Sequence, residues 1–233
     1  MSSSQLTGET EPIVIHNIIW DAGGTLFDTY PGMVQSFACA LHEHGVHIPE
    51  TRILELARQS TQDAITTLAR EGALEVTAFE AAFRRRYNAV IPENQLPFPG
   101  VIEVLAAICA QGGQNLIVTH RRRDSLDALL DAHNMRAYFS DRITAEDPFP
   151  RKPDPAALNE MVKRHALDRA TTLLIGDRAL DLDAGRAAGL RTCLFESGPL
   201  DEPYPQADLR ITAFATLLAL LHQSPPLNHK AQR

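Results

Sequence analysis

Apolar and polar residues alternate in two distinct rhythms along this chain. Residues 13–20 (IVIHNIIW) form a short apolar run of the length expected for a buried strand. Similar runs recur after residue 100, at 115–119 (NLIVT), 141–144, 172–175, 191–195 and 209–211. Between them lie stretches of helical spacing at 101–111, 123–133, 154–165, 179–188 and 212–222. Gly112-Gly113 stops the first of these, and Asp154-Pro155 opens the third, with proline at a tolerated early position. Repeated strand–helix–strand units predict a parallel sheet with helices on both faces, an α/β Rossmann-like fold.

Residues 31–92 have a different character. Apolar residues recur there only at helical spacing: Met33, Phe37 and Leu41, then Ile53, Leu56 and Ala57, then Ile65, Leu68 and Ala69, then Phe79, Phe83, Tyr87 and Val90. The stretch closes on Pro92 and on Pro97-Phe98-Pro99-Gly100, a rigid turn. The pattern predicts a small all-helical domain over 29–97, inserted into an α/β core made of 12–28 and 98–222. Residues 1–11 and 223–233 are expected to be flexible tails.

Composition restricts the partners more than the fold. The 233 residues suffice for a main domain with an insert, and the 44% hydrophobic and 22% charged content suits a soluble globular protein. A formal net charge of -7 gives no general attraction to nucleic acid or to an anionic membrane. No apolar run approaches membrane-spanning length, and the polar N-terminus has no signal core. Cys39, Cys109 and Cys193 form no CxxC pair and read as reduced thiols. These features predict a cytoplasmic protein without nucleic-acid or membrane partners; they do not define an oligomeric state.

The chemistry sits where the predicted strands end. Asp21 follows the first strand, Thr119 and His120 the second, and Gly176-Asp177-Arg178-Ala179-Leu180-Asp181 the fourth. Arg151-Lys152-Pro153-Asp154 lies between the third strand and its helix, with Asp154 read as a helix cap. Active sites of open parallel sheets form beyond the carboxyl ends of the strands. Three carboxylates, a hydroxyl and a lysine would therefore converge. Asp177 and Asp181, four apart at a helix start, share a face, and with Asp21 they make a hard oxygen site suited to Mg²⁺. A lysine opposite suits an anion. The set describes phosphoryl transfer to an aspartate.

In these four motifs, taken in order, the sequence resembles the haloacid dehalogenase-like (HAD) hydrolases. Asp21-Ala22-Gly23-Gly24-Thr25 stands for the first motif, Thr119 for the second, Lys152 for the third, and Gly176-Asp177 to Asp181 for the fourth. The resemblance covers about 13–222, and the helical stretch looks like the cap of the phosphoglycolate-phosphatase-like subfamily. It implies that Asp21 attacks phosphorus. It implies Mg²⁺ held by Asp21, Asp177, Asp181 and the backbone carbonyl of Gly23. Thr119 and Lys152 would bind the transferring oxygens, Lys152 also orienting Asp21. Gly24 and His120 join the expected phosphate or substrate contacts, with Arg121 and Arg178 as further candidates. The implied substrate is a small phosphorylated metabolite.

One residue departs from that pattern. Gly23 stands where the family carries a second aspartate, which protonates the leaving alcohol and activates water. General acid–base help of this kind is worth about 10²–10⁴-fold. A true haloacid dehalogenase shares the form DAxGTLFD but keeps no GDxxxD, so Asp177 and Asp181 argue against it. A phosphonatase needs a cap lysine, and 29–97 contains none. Two readings stay open: a phosphatase whose leaving group needs no proton or takes it from another residue, His120 first, and a phospho-ligand binding protein of weak turnover. The runs His42-Glu43-His44-Gly45-Val46-His47 and Arg84-Arg85-Arg86 read mainly as solvated surface; Arg121-Arg122-Arg123 lies nearer the predicted chemistry.

Overall fold

The computed structural model describes residues 14–198 and 206–223. Six strands form one parallel sheet: β1 (Asn17–Trp20), β2 (Asn115–Val118), β3 (Phe139–Ile143), β4 (Thr172–Gly176), β5 (Arg191–Phe195) and β6 (Leu209–Ile211), in the order β3-β2-β1-β4-β5-β6. Every apolar run became a strand, and the architecture is the α/β Rossmann-like one expected. β1 begins later than its apolar run, although Ile15 is still buried.

β1 is central and apolar because both its faces are covered. Ile18 and Trp20 point into one core with α5 (Val101–Ala110), α6 (Arg123–Ala132) and α9 (Phe214–Gln223). Ile19 points into the other, with α7 (Ala156–Arg164) and α8 (Ala179–Ala187). That alternation is the period-two geometry of a strand. α7 starts at Ala156 with Pro155 at the cap position, not Asp154 as the sequence suggested; Asp154, one residue earlier, accepts from Ala156 N–H at 2.8 Å. α9 runs through Gln223, one residue into the expected tail; residues 1–11 and 224–233 lie outside the described residues.

The stretch between the first and second motifs holds α1 (Tyr30–His42), α2 (Glu50–Gln59), α3 (Thr61–Glu71) and α4 (Val76–Tyr87). These four share a hydrophobic cluster of their own, centred on Phe37, Phe79 and Phe83, with the Phe37 and Phe83 rings stacked at 3.7 Å. Both connections to the sheet run side by side. Asp28 N–H donates to Leu96 O at 2.8 Å, and Phe98 N–H to Leu26 O at 3.0 Å. Among the described residues, no helix is long and apolar enough to cross a membrane.

Candidate active site

The sheet order explains the site. β2, β1 and β4 are neighbours, with Trp20 level with Ile117 on one side and Ile175 on the other. The residues that follow these strands must therefore stand together at the edge where the strand order reverses. Asp21 N–H still donates to Ile175 O at 2.9 Å and Thr119 N–H to Ile143 O at 3.0 Å, so the backbone is fixed at each position.

Asp21, Asp177 and Asp181 lie within 4.8 Å of one another by one oxygen each, and all three are buried. Lys152 Nζ, itself 1% exposed, lies 2.6 Å from Asp21 Oδ1 and 2.5 Å from Asp181 Oδ1, and donates to Val118 O at 3.0 Å. Burial is the largest single influence on Lys152 and lowers its pKa, but the charges and hydrogen bonds of Asp181 and Asp21 together outweigh it and leave the pKa above its ordinary value. The Arg178 side chain stands beside them, its Nε 4.0 Å from Asp181 Oδ2. Asp181 also closes α8, accepting from Arg178 N–H at 3.2 Å.

Three acids thus face two cations, Lys152 and Arg178. Asp21 Oδ2 is buried without a hydrogen-bond partner. An orphaned carboxylate oxygen in a set of hard oxygen donors, next to surplus negative charge, fits a small divalent cation such as Mg²⁺.

Asp177 is held on both oxygens. Thr25 Oγ1 donates to Oδ1 at 3.1 Å and the Tyr30 hydroxyl to Oδ2 at 2.5 Å. Burial pushes the Asp177 carboxyl up to about 6; Arg178 opposes that rise, while the charges of Asp181 and Asp21 add to it. Tyr30 is the first residue of α1, and its ring lies under the Arg58 guanidinium of α2 at 5.2 Å. Sequence reasoning missed it, because attention to strand ends passes over the first residue of the helical stretch.

The two glycines of this loop are not equivalent. Gly24, not Gly23, carries the left-handed turn, with φ +86°. A side chain on Gly24 would place Cβ 2.3 Å from Asp177 Oδ2 and 2.8 Å from the Tyr30 ring, so glycine there makes room for that pair. Its N–H donates to Phe27 O at 2.9 Å. Gly23 has no left-handed φ, and an added Cβ would meet only Thr29, at 3.2 Å from Oγ1.

A cavity of about 580 Å³ opens above Asp21. Gly23, Thr119, His120, Arg121, Lys152 and Arg178 line it from the sheet side, and Met33, Ser60, Phe83, Arg84 and Tyr87 from the helices. Thr119 Oγ1 accepts from Arg121 N–H at 3.2 Å, which leaves its own proton to donate. His120 does not suit the role of proton donor. Its Nε2 accepts from Lys152 N–H at 2.8 Å. Burial, then the charges of Lys152, Arg151 and Arg178, push its pKa down to about 3, so the ring is neutral near pH 7.

The remaining clusters are surface, with one exception. Arg85 and Arg86 pair with Glu43, and His42 and His47 contact each other at 3.0 Å. Arg84 pairs with Glu80 but lines the cavity.

Comparison with known proteins points to one family. The profile of the haloacid dehalogenase-like hydrolases matches residues 18–195. A phosphoglycolate phosphatase from Mesorhizobium japonicum is 27% identical over 201 residues, covering 79% of this chain and 84% of that one. A probable phosphatase, IndB, from Dickeya dadantii is 31% identical over 183 residues, covering 74% and 77%. Among solved structures, a hydrolase from Streptococcus pneumoniae is 29% identical with a TM-score of 0.63, covering 89% of this chain and 98% of that one. A predicted phosphoglycolate phosphatase from Haemophilus somnus has a TM-score of 0.78 at 22% identity, covering 88% and 97%, a likeness of fold.

Proposed function

The chain belongs to the haloacid dehalogenase-like hydrolases, and from that premise we propose that it is a Mg²⁺-dependent phosphatase of a small phosphorylated metabolite, with Asp21 as nucleophile. The observation that carries this reading is the buried Asp21 carboxylate. Lys152 holds one of its oxygens at 2.6 Å, and the other has no hydrogen-bond partner.

In this reading Asp21, Asp177, Asp181 and the Gly23 carbonyl would hold Mg²⁺, which would supply charge neutralisation at the phosphoryl oxygens. Lys152 fixes the rotamer of Asp21. Asp21 attacks phosphorus, the bond to the leaving oxygen breaks, and an aspartyl phosphate forms; water then releases phosphate. The Thr119 hydroxyl and the Lys152 ammonium meet the oxygens as negative charge builds on them, the kind of stabilisation that dominates many active sites. Residues 29–97 act as a cap that moves about the paired connections near 28–30 and 97–100 and excludes water on closing.

Gly23 leaves no acid to protonate the leaving group, and His120 is neutral with Nε2 occupied. The substrates turned over best are therefore those whose leaving oxygen needs no proton, acyl phosphates above all. The same gap favours a second reading, a phospho-ligand binding protein with little turnover. Phosphate release from acetyl phosphate and p-nitrophenyl phosphate separates them. Mg²⁺-dependent release that is lost in EDTA and in Asp21→Asn supports the phosphatase. Tight phosphate binding with no release from either compound supports the binding protein.

A further inference from the structure

The cavity above Asp21 holds more positive charge than one phosphoryl group requires. Arg84, Arg121, Arg122, Arg151, Lys152 and Arg178 line it, against the single acid Asp21. Most of these cations are already balanced. Lys152 lies between Asp21 and Asp181, and Arg178 stands among the three buried carboxylates. Arg122 pairs with Asp124 and Glu146, and Arg84 with Glu80.

Arg121 and Arg151 are not balanced. The Arg121 guanidinium donates only to neutral groups: Ser125 Oγ at 2.7 Å, Tyr87 Oη at 2.8 Å and Gln95 Oε1 at 3.1 Å. Those bonds fix its direction without cancelling its charge. The Arg151 guanidinium has no hydrogen-bond or acidic partner among the described residues; only its backbone carbonyl is engaged, by Asp154 N–H at 3.1 Å. Burial, and then the charges of Arg178 and Arg84, hold its pKa below the ordinary arginine value. A guanidinium on the cavity wall that faces two others and meets no anion is repelled by them in the free protein, and an anion in the cavity relieves that repulsion.

Their placement sets them apart from the transferring phosphoryl group. Arg121 lies two residues beyond Thr119, and Arg151 immediately precedes Lys152, so they flank the two side chains assigned to that group. Lys152 is buried on the floor; Arg151 is exposed on the wall. Arg121 reaches across to Tyr87 of α4 and to Gln95, between floor and roof.

We propose that the substrate carries a second anionic group, a carboxylate or a phosphate, at the end remote from the transferring phosphoryl, and that Arg121 and Arg151 receive it. Arginine suits the task, since its fork of donors matches a carboxylate or phosphate bidentately. This inference rests on the reading of Asp21 as the site of phosphoryl transfer.

Calorimetry with non-hydrolysable probes in Mg²⁺ tests it: propylphosphonate, 3-phosphonopropionate and propane-1,3-bisphosphonate. In wild type, at least one doubly anionic probe should bind about tenfold or more tighter than propylphosphonate, the expected gain from hydrogen bonds to a charged group. The stronger of the two names the remote group as carboxylate or phosphate. Arg151→Gln and Arg121→Gln should each reduce that advantage to less than about threefold, while Arg70→Gln, a charge-removing control on α3 outside the cavity, preserves it. Because Arg151 has no partner to lose, its substitution leaves the fold supported even if Arg121→Gln disturbs Tyr87 and Gln95. Equal binding of all three probes to wild type, or an advantage that survives both substitutions, overturns the proposal while leaving the phosphatase reading in place. Binding of none of them overturns both.

Discussion

Lys152 on the floor of the cavity and Arg84 on its roof are both cations paired with carboxylates, yet their settings are opposite. Lys152 is 1% exposed and shared between Asp21 and Asp181, which come from different ends of the chain. The Arg84 side chain is 54% exposed and meets Glu80 one turn away on the same helix. A buried pair is held in one geometry because each charge needs the other; an exposed pair is screened and replaceable. The floor is thus built for a fixed chemistry. The roof is free to change with the substrate.

The largest expected effect follows from that contrast. Lys152→Met removes the ammonium between two buried carboxylates and leaves only Arg178 beside them, a loss of about 3–5 kcal/mol for a broken buried pair. In a chain of this size that lowers the melting temperature by roughly 6–20 °C. Arg84→Ala removes an exposed helix pair and should move it by no more than about 3 °C. Thermal unfolding of both variants beside wild type measures the difference. Similar shifts would show that floor and roof do not differ in the way their burial indicates.

A smaller effect tests whether the roof reaches the floor. Tyr30 belongs by its ring to the hydrophobic cluster of α1–α4 and by its hydroxyl to Asp177. Partners that orient a metal-binding carboxylate commonly contribute 10–100-fold to metal affinity. Tyr30→Phe keeps the ring and removes the 2.5 Å hydrogen bond, so Mg²⁺ affinity measured by calorimetry should weaken by about tenfold. Unchanged affinity would reduce Tyr30 to a packing residue and break the link between helices and metal site.

The same division decides what could be read from sequence. The floor was legible because its chemistry forces charged residues onto the ends of apolar strands, where a lone Asp21 or an Asp177–Asp181 pair interrupts the pattern. Strand order then brings them together without any long-range information beyond the repeated strand–helix unit. The roof was legible only as four helices. Which of their side chains face the cavity depends on how α1 and α4 rotate about Phe37 and Phe83, and no local pattern records that. Tyr30 and Arg151 escaped for the same reason: each matters through a neighbour distant in sequence, Asp177 for one and Arg84 and Arg178 for the other. Gly23 and Gly24 show a further limit. Adjacent and identical in sequence, they differ in φ and in what surrounds them, and only the packing of Asp177 and Tyr30 distinguishes them.

That distinction makes Gly23 the place to sharpen the comparison, through the smallest effect. Two neighbouring glycines invite the view that both serve a tight turn and that neither accepts a side chain. The structure divides them. Gly24 is confined by its left-handed φ and by Asp177; Gly23 has neither constraint. At the Cβ of Gly23→Asp the contact is with Thr29, which must give by a few tenths of an ångström. The new carboxyl would enter the cavity beside Asp21, on the side where a leaving oxygen departs in the proposed reaction. Turnover of alkyl phosphates should rise by about tenfold, the low end of general acid–base catalysis, because the surrounding groups were not shaped for it. Acetyl phosphate, whose leaving oxygen needs no proton, should gain little. In wild type, turnover across phosphate esters should fall steeply as leaving-group pKa rises, and Gly23→Asp should flatten that slope. His120→Asn is the companion measurement. With its pKa near 3, His120 stays neutral from pH 5 to 8, taking up a proton only as pH falls well below that window, so the substitution should leave the pH profile and the slope as they are. A wild-type plot that is already flat, or one that steepens in His120→Asn, would show that a proton donor is present after all and that Gly23 is not a gap in the chemistry.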